Sequence, residues 1–546
     1  MPHSDMPLFV KNKHATMKRQ FVITLLVLLI TISMQAANGP QLTFDASCGE
    51  SRLLVMPNGQ TIHFTAYEKL YYVTHVEDSA YQYMNVYVPD GATKKTPILL
   101  RTYVGGYMAA AAAEPQATDA TGRALAEGYV VAIPGARGRN STITRNNSTI
   151  YTGRAPAGLL DLKAAVRYLR FFDKKMPGSA ERIITDGTSA GGAMSSLLGA
   201  TGNNPTYEPM LKAMGAADTR DDVYASICFC PIIDLDHADM AYEWLYNCTN
   251  NNSRPLSPEQ AIISNELAAA YPAYFNSLGL TDPSDGSPLT ADNFRSYIKW
   301  QIIRAAQIAK DAGAEIPDSI GFTFSEVAGF MPPVNGGIRT LPEDITPPAA
   351  ITDTVPTKTQ RMQAAAQLFN RRRQGSSFYI GGAARLRPQR RHQQGEYIVN
   401  LDMETYLNYV VSTQPLKTPP AFDALDVVGA AATGENEVFG NEEGSSVNFT
   451  DYSAQHNGKR VERNVRVKVR QMNPWSFLDN KQTSVAPHWY IRHGARDRDT
   501  SFAIPVAFAV KLQNIGKDVN FLLAWNRPHC GDYSLDELFS WIRSIQ

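Results

Sequence analysis

A serine between glycines is the first residue whose surroundings could support catalysis. The segment Gly187–Gly191 reads G-T-S-A-G and places Ser189 in a G-x-S-x-G pattern. In such a turn the serine is held in a strained conformation that exposes its Oγ, and flanking glycines avoid clashes. A serine exposed in this way can attack an ester carbonyl once a base removes its proton. The pattern predicts a nucleophile, against the alternative of an ordinary turn serine.

A nucleophilic serine needs a histidine as base and a carboxylate that orients the histidine. His529 ends the loop Trp525–His529 that follows an apolar segment, whereas His493 precedes the candidate acids. Those acids are Asp497 and Asp499, and spacing alone does not choose between them. The chain order serine, acid, histidine is the order found in α/β-hydrolases.

Stabilisation of an oxyanion needs two backbone N–H groups near the serine. The helical run Ala193–Leu198 follows Ser189, so the start of that helix would present one donor. The glycine-containing loop Val104–Tyr107 follows an early apolar segment and would present the second. A plain turn is the alternative for this loop.

The elements that must hold these residues are short apolar segments that alternate with helical patterns. Ala157–Phe172 has helical spacing of its apolar residues and lies between two of the segments. Alternation of strand and helix predicts a largely parallel sheet covered by helices. The predicted strands are Pro97–Tyr103, Tyr129–Pro134, Arg182–Asp186, Ala225–Cys230, His488–Arg492 and Val519–Ala524.

The regular alternation stops near Trp244 and resumes near His488. We therefore predict an α/β-hydrolase fold whose N-terminal part is residues 38–244 and whose C-terminal part is residues 488–546. Residues 245–487 are predicted to form a large inserted cap (lid) domain. This segment contains the helical stretches Glu259–Tyr271 and Phe294–Ala312, the proline-rich connection Glu343–Pro356 and the basic stretch Arg371–His392.

The N-terminus has the composition of a secretory signal. Basic residues precede the apolar run Phe21–Ile32, and small and polar residues follow it. The run is shorter than the roughly 20 residues that span a bilayer. We predict that residues 1–37 are a signal peptide with an upstream extension, and that the protein is secreted or periplasmic without a stable membrane span.

Charge and cysteine content limit the possible partners. Lys plus Arg and Asp plus Glu both number 52, so the net charge of zero gives no reason to expect a nucleic-acid partner. The basic stretch 371–392 is better explained as a solvated loop. Five cysteines are an odd number, and Cys228 and Cys230 are expected to be buried thiols.

His237, Asp239 and Glu243 could in principle hold a divalent ion. A hydrogen-bonded network that anchors the cap is the preferred interpretation of these three residues. We expect no metal and no cofactor, and a small-molecule ester as the substrate.

Long stretches of the chain resemble the bacterial tannases (tannin acylhydrolases), which are related to feruloyl esterases. The resemblance runs from about residue 42 to the end, with gaps in the cap. It is carried by 104–107 (VGGY), 161–168 (DLKAAVRY), 182–185 (RIIT), 187–192 (GTSAGG), 237–244 (HADMAYEW), 491–494 (IRHG), 497–501 (DRDTS), 528–529 (PH) and 531–533 (GDY).

The resemblance implies a role for particular residues. It implies a catalytic triad of Ser189, Asp497 and His529, and thereby selects Asp497 as the acid. It also implies that the N–H groups of Gly106 and Ala190 bind the oxyanion. The side chains that it implies for binding the galloyl group are those of Lys417, Glu435 and Asp499.

Three departures accompany the resemblance. The segment between Lys417 and Glu435 is longer than expected, so that Glu437 is an alternative to Glu435. The basic stretch 371–392 resembles an insertion, and Cys530 follows the histidine where a serine is expected.

Three functions remain open at this point. The first is an exported serine esterase that hydrolyses galloyl esters of tannins and releases gallic acid. The second is a feruloyl or other aromatic-acid esterase. The third is a non-catalytic polyphenol- or carbohydrate-binding protein on a hydrolase fold, which a complete set of serine, acid and histidine disfavours.

Overall fold

The structure, a computed structural model, describes residues 41–325, 397–412, 414–426 and 432–546, except for the side chains of Asn251 and Asn252. The predicted signal peptide, the proline-rich connection 343–356 and the basic stretch 371–392 lie outside the described residues. The described residues from Phe44 to Gln546 form one compact unit.

A large sheet organises this unit. In the part of the chain described here, nine strands pair in the order β1-β2-β3-β5-β4-β8-β9-β12-β13, and two short antiparallel pairs, β6-β7 and β10-β11, lie outside it. The bounds are β1 Glu50–Val55, β2 Thr61–Tyr71, β3 Tyr83–Pro89, β4 Pro97–Arg101, β5 Val130–Pro134, β6 Thr142–Arg145, β7 Ser148–Tyr151, β8 Ser179–Thr188, β9 Ala225–Phe229, β10 Phe322–Ser325, β11 Tyr397–Leu401, β12 His488–Gly494 and β13 Asp518–Ala524.

The six predicted strands all belong to the large sheet, and the predicted mostly parallel arrangement is confirmed. Strands β5, β4, β8, β9, β12 and β13 pair in parallel. Strands β4, β5 and β9 are buried along their whole length, as expected where helices cover both faces of a sheet. The antiparallel strands β1 to β3 were not predicted, because polar residues interrupt β2.

Helices connect and cover the strands. Helices are present at the three predicted stretches, Ala157–Phe172, Glu259–Tyr271 and Phe294–Ala312. The helices of the described residues are α1 Ala120–Ala126, α2 Ala157–Phe171, α3 Ala190–Ala200, α4 Glu208–Ala213, α5 Leu235–Tyr246, α6 Asn250–Ser253, α7 Pro258–Ser277, α8 Ala291–Asp311, α9 Met403–Ser412, α10 Gly434–Val438, α11 Asp451–His456, α12 Arg463–Gln471, α13 Trp475–Leu478, α14 Ala503–Asn514 and α15 Leu535–Ser544.

The strand order reverses beside β4, because the chain passes from β4 to β5 on one side and then to β8 on the other. In open parallel sheets, ligands bind at the carboxyl ends of the strands at such a point. The loops that follow β4, β8, β12 and β13 therefore meet at one edge of the sheet.

The segment between β9 and β12 contributes no described strand to the large sheet. Its helix α7 packs against α5 through a small apolar cluster that includes Ile263, Leu267 and Met240. Among the described residues, none of the helices has the length and apolar character needed to cross a membrane.

A buried ion-pair network ties the central strands to the C-terminal loop. Arg101, at the end of β4, donates to Asp186 of β8 and to Asp532, with both N–O distances 2.6 Å. Asp186 is fully buried. Burial raises the pKa of Asp186 to about 6, although the charge of Arg101 opposes this rise. Two residues separate Asp186 from Ser189, and two separate Asp532 from His529.

We expect Arg101→Met to lower the stability by about 3 kcal/mol, because it leaves the buried carboxylate of Asp186 without its partner. The measurement is the midpoint of thermal unfolding at pH 7.5. Arg220→Met is the matched control, since Arg220 is 51% exposed in its pair with Glu181 and should contribute less than about 1 kcal/mol. Equal shifts in the two variants would contradict the prediction.

Candidate active site

Ser189 lies at the turn between β8 and α3. Its backbone has φ 62° and ψ −124°, in a region that costs a non-glycine residue about 1–3 kcal/mol. The turn is fixed by a hydrogen bond of 2.9 Å from the Ser189 N–H to the carbonyl of Phe229. A Cβ on Gly187 would lie 2.2 Å from the carbonyl oxygen of Gly191, so only glycine allows strand and helix to approach this closely.

The side chains of Ser189, His529 and Asp497 form a continuous chain of hydrogen bonds. His529 Nε2 lies 2.9 Å from Ser189 Oγ, and His529 Nδ1 lies 2.7 Å from Asp497 Oδ2. These residues come from the loops after β8, β12 and β13. The histidine is thus hydrogen-bonded to Asp497, whereas the carboxylate of Asp499 lies nearby, within 4.8 Å of both residues. Such a chain can remove a proton from the serine and return it to a leaving group.

The electrostatics favour an ionised acid and a basic imidazole. Burial raises the pKa of Asp497, but the nearby imidazoles of His529 and His493 and the hydrogen bonds that Asp497 accepts hold it well below its ordinary value. Burial lowers the pKa of His529, but the charge of Asp497 and the hydrogen bond to it outweigh burial and raise that pKa above its ordinary value.

His493 is a second imidazole beside the acid. It is fully buried at the end of β12, and its Nε2 lies 3.5 Å from Asp497 Oδ2. The other carboxylate oxygen, Oδ1, accepts the N–H of Asp499 at 2.8 Å. Contact between His493 and the acid is not predictable from the sequence, which indicates only that this histidine precedes the acid loop.

The loop after β4 brings Gly106 to the same edge of the sheet. Gly106 and Tyr107 both have positive φ, 56° and 54°. Arg139 holds this loop twice, since its Nε donates to the carbonyl of Gly106 at 2.9 Å and its N–H donates to that of Tyr107 at 2.9 Å. Ala190 is the first residue of α3, so its N–H has no acceptor within the helix and is available to an anion.

Lys417 and Asp499 lie beside this machinery. Lys417 Nζ is 4.0 Å from Asp499 Oδ1, and the two side chains are 31% and 26% exposed. The ammonium also lies 4.6 Å from the ring centre of Phe422. Both Asp499 and Lys417 influence the pKa of His529. The group is therefore open to a ligand and close to the histidine.

Glu435 and Glu437 are influenced by different cations. Burial raises the pKa of Glu435, and the charge of Lys417 is the largest influence that opposes this rise. Glu437 instead forms an ion pair with Arg139, the residue that holds the loop of Gly106. The charge of Lys417 thus acts on Glu435, whereas Glu437 is paired with Arg139.

Asp239 and Asn436 hold the segments that carry Lys417 and Glu435. Asp239 of α5 accepts the N–H groups of Phe422 and Asp423 at 2.8 and 3.2 Å. Asn436 of α10 donates to Asp423 Oδ1 at 2.8 Å. The segment that carries Lys417 and the segment that carries Glu435 are thereby joined to each other and to α5, although residues between them lie outside the described range.

His237, Asp239 and Glu243 have separate partners. His237 Nδ1 lies 3.0 Å from Asp234, and Glu243 forms a two-pronged ion pair with Arg254 at 3.0 and 2.7 Å. Asp239 binds the backbone of the Lys417 segment, as described above. The three side chains do not converge on one point. Asp239 and Glu243 fasten α5 to different neighbours, whereas His237 pairs with the residue that precedes α5 and stacks on Tyr274 of α7.

Comparison with known proteins places these features in a family. The BD-FAE family model matches residues 84–276. No curated protein matches the chain. The tannase of Fusobacterium nucleatum has a similar structure, with a TM-score of 0.73 and 33% identity over 93% of this chain and 99% of that one.

Two further structures are similar to the same degree. The native tannin acyl hydrolase of Lactobacillus plantarum has a TM-score of 0.73 and 32% identity, over 93% of this chain and 99% of that chain. A tannin acyl hydrolase in complex with ethyl gallate has a TM-score of 0.71 and 32% identity, over 92% and 98%. The chain therefore belongs to the family of bacterial tannases, carboxylic ester hydrolases with an α/β-hydrolase fold.

Proposed function

We propose that this protein is an exported serine esterase that hydrolyses galloyl esters, both of tannins and of simple alcohols, and releases gallic acid. The proposal rests on one observation, the hydrogen-bonded chain from Ser189 through His529 to Asp497 with Lys417, Asp499 and Glu435 beside it. The tannin acyl hydrolase solved with ethyl gallate supports a gallate ester as the substrate.

In the proposed reaction, Ser189 Oγ attacks the ester carbonyl while His529 Nε2 takes the hydroxyl proton. The N–H groups of Gly106 and Ala190 bind the oxyanion. His529 then donates the proton to the departing alcohol, which leaves a galloyl-serine ester. Water, deprotonated by His529, attacks this ester, and gallic acid and free Ser189 are released.

Recognition of the acyl group is assigned to Lys417, Asp499 and Glu435. Phenolic hydroxyls are good donors, so carboxylates suit them as acceptors, and the ammonium adds a donor. A phenolic oxygen at hydrogen-bond distance, about 2.8 Å, from each group could bridge the 4.0 Å between Lys417 Nζ and Asp499 Oδ1. A site of this kind discriminates strongly against analogues that lack the hydroxyls.

We further propose that residues 245–487 act as a cap, because Lys417 and Glu435 come from this segment while the triad comes from the loops of the sheet. Export rests on the composition of residues 1–37, which lie outside the described residues. An aromatic esterase that prefers ferulate is the competing function, and the number of ring hydroxyls distinguishes the two.

The first expected result concerns the nucleophile. Wild-type protein should release gallate from methyl gallate, and Ser189→Ala should lower kcat by roughly 10⁶-fold, because no other group forms the acyl-enzyme. The rates of the wild type and of the variant are both measured by chromatographic assay of the released gallate. Labelling by a fluorophosphonate should occur in the wild type and be lost in the variant. Absence of both gallate release and labelling in the wild type would leave only a binding function.

The second expected result concerns pH. His529 acts as a base only when neutral, so kcat/KM should fall as the pH drops through its pKa. Because Asp497 raises that pKa, the acid limb should lie above the ordinary histidine value of about 6.5. Asp497→Asn should move the limb to lower pH and reduce kcat by about 10⁴-fold. A wild-type limb at or below pH 6.5 would contradict this assignment.

The third expected result concerns specificity. Lys417→Met removes the ammonium but keeps an unbranched chain over Phe422, so kcat/KM for methyl gallate should fall about 10- to 100-fold. Hydrolysis of 4-nitrophenyl acetate, which has no phenolic hydroxyl on its acyl group, should change less than about threefold. Methyl ferulate hydrolysed faster than methyl gallate by the wild type would favour the competing function.

A further inference from the structure

One hydroxyl group on α5 touches both the recognition segment and the acid loop. Tyr242 Oη donates to the carbonyl of Arg498 at 2.7 Å and accepts the N–H of Lys417 at 3.3 Å. Arg498 lies between Asp497 and Asp499. The same oxygen atom is therefore bonded to the backbone that carries the acid and to the backbone that carries Lys417.

The surroundings make this contact rigid. Tyr242 is fully buried, so water does not compete for its hydroxyl. Its ring packs edge-on against Phe422, with 6.3 Å between ring centres and 89° between planes. Phe422 is the ring over which Lys417 Nζ lies. Tyr242 thus contacts Lys417 at its backbone and supports the aromatic ring beneath its side chain.

The carbonyl side of Lys417 is held from the same helix. Arg254 donates to the carbonyl oxygen of Lys417, and Glu243 fixes Arg254 through two hydrogen bonds. The N–H of Lys417 is bonded to Tyr242 of α5, and its carbonyl is bonded to Arg254, which Glu243 of α5 holds. The position of the Lys417 ammonium relative to Asp499 therefore depends on α5 rather than on the surface loop alone.

We propose that Tyr242 is a positioning residue that sets acyl-group specificity, by fixing the spacing between Lys417 and Asp499 through a single buried hydroxyl. This inference rests on the proposed function, in which Lys417 and Asp499 bind galloyl hydroxyls. It adds that one hydroxyl oxygen holds both the backbone of Lys417 and the backbone next to the catalytic acid. Removal of this oxygen therefore breaks the link between these two backbone segments.

The chain provides a matched control in Tyr246, one helical turn further along α5. Tyr246 is also fully buried, and its hydroxyl donates to the carbonyl of Asp497 at 2.8 Å. Both tyrosines therefore bond the acid loop, but the described contacts connect only Tyr242 to Lys417. Removal of either hydroxyl perturbs the acid, whereas removal of the Tyr242 hydroxyl also releases Lys417.

The experiment compares Tyr242→Phe with Tyr246→Phe, using methyl gallate and 4-nitrophenyl acetate as substrates. Tyr242→Phe should raise KM for methyl gallate about fivefold, as expected for loss of a hydrogen bond. It should lower the ratio of kcat/KM for methyl gallate to that for 4-nitrophenyl acetate by a similar factor. Tyr246→Phe should lower both activities together and leave the ratio within about twofold.

A double variant tests whether Tyr242 acts through Lys417. In a Lys417→Met background, Tyr242→Phe should cause no further loss in the substrate ratio. The positioning role alone would be overturned if Tyr242→Phe and Lys417→Met lowered the substrate ratio by factors that multiply in the double variant. It would also be overturned if Tyr242→Phe and Tyr246→Phe gave equal substrate ratios. An unchanged ratio in Lys417→Met itself would overturn the proposed recognition by Lys417, and the positioning role with it. Unfolding midpoints confirm that all variants are folded.

Discussion

The close approach of β8 to α3 is the constraint on which the rest of the site depends. Ser189 adopts a positive φ because the turn between them has no room for side chains at its glycines. That conformation brings Oγ to the edge where the loops after β12 and β13 also end, and where His529 and Asp497 meet it. Arg101 stabilises this edge, since it forms ion pairs with Asp186 in the strand before Ser189 and with Asp532 in the loop after His529.

Much of this arrangement could be predicted from the sequence, because it depends on local patterns. The glycines around Ser189, the apolar segments and the order of serine, acid and histidine are all readable without coordinates. The choice of Asp497 over Asp499 is not predictable from local patterns, because two carboxylates two residues apart differ only in the directions of their side chains. The resemblance to tannases implies Asp497, and in the structure it is Asp497 that is hydrogen-bonded to His529.

Contacts between distant segments escaped sequence reasoning for a different reason. Arg139, Tyr242 and His493 have no pattern that indicates their partners, because those partners are backbone carbonyls or side chains brought together by the fold. The motif around Tyr242 predicts a network that anchors the cap. In the structure, Asp239, Tyr242 and Glu243 all act on the segment of Lys417: Asp239 accepts the N–H groups of Phe422 and Asp423, Tyr242 accepts that of Lys417, and Glu243 holds Arg254, which donates to the Lys417 carbonyl.

The ion pair between Arg139 and Glu437 has a consequence for how the site of this protein can change. Arg139 holds the backbone of the loop after β4, and Glu437 belongs to the short helix that carries Glu435. Replacing Glu437 by a neutral residue would leave Arg139 without this partner, so a change in the helix that carries Glu435 also reaches the loop that carries Gly106. Substitutions that alter acyl-group binding in this chain without disturbing the oxyanion loop are therefore those that keep this pair.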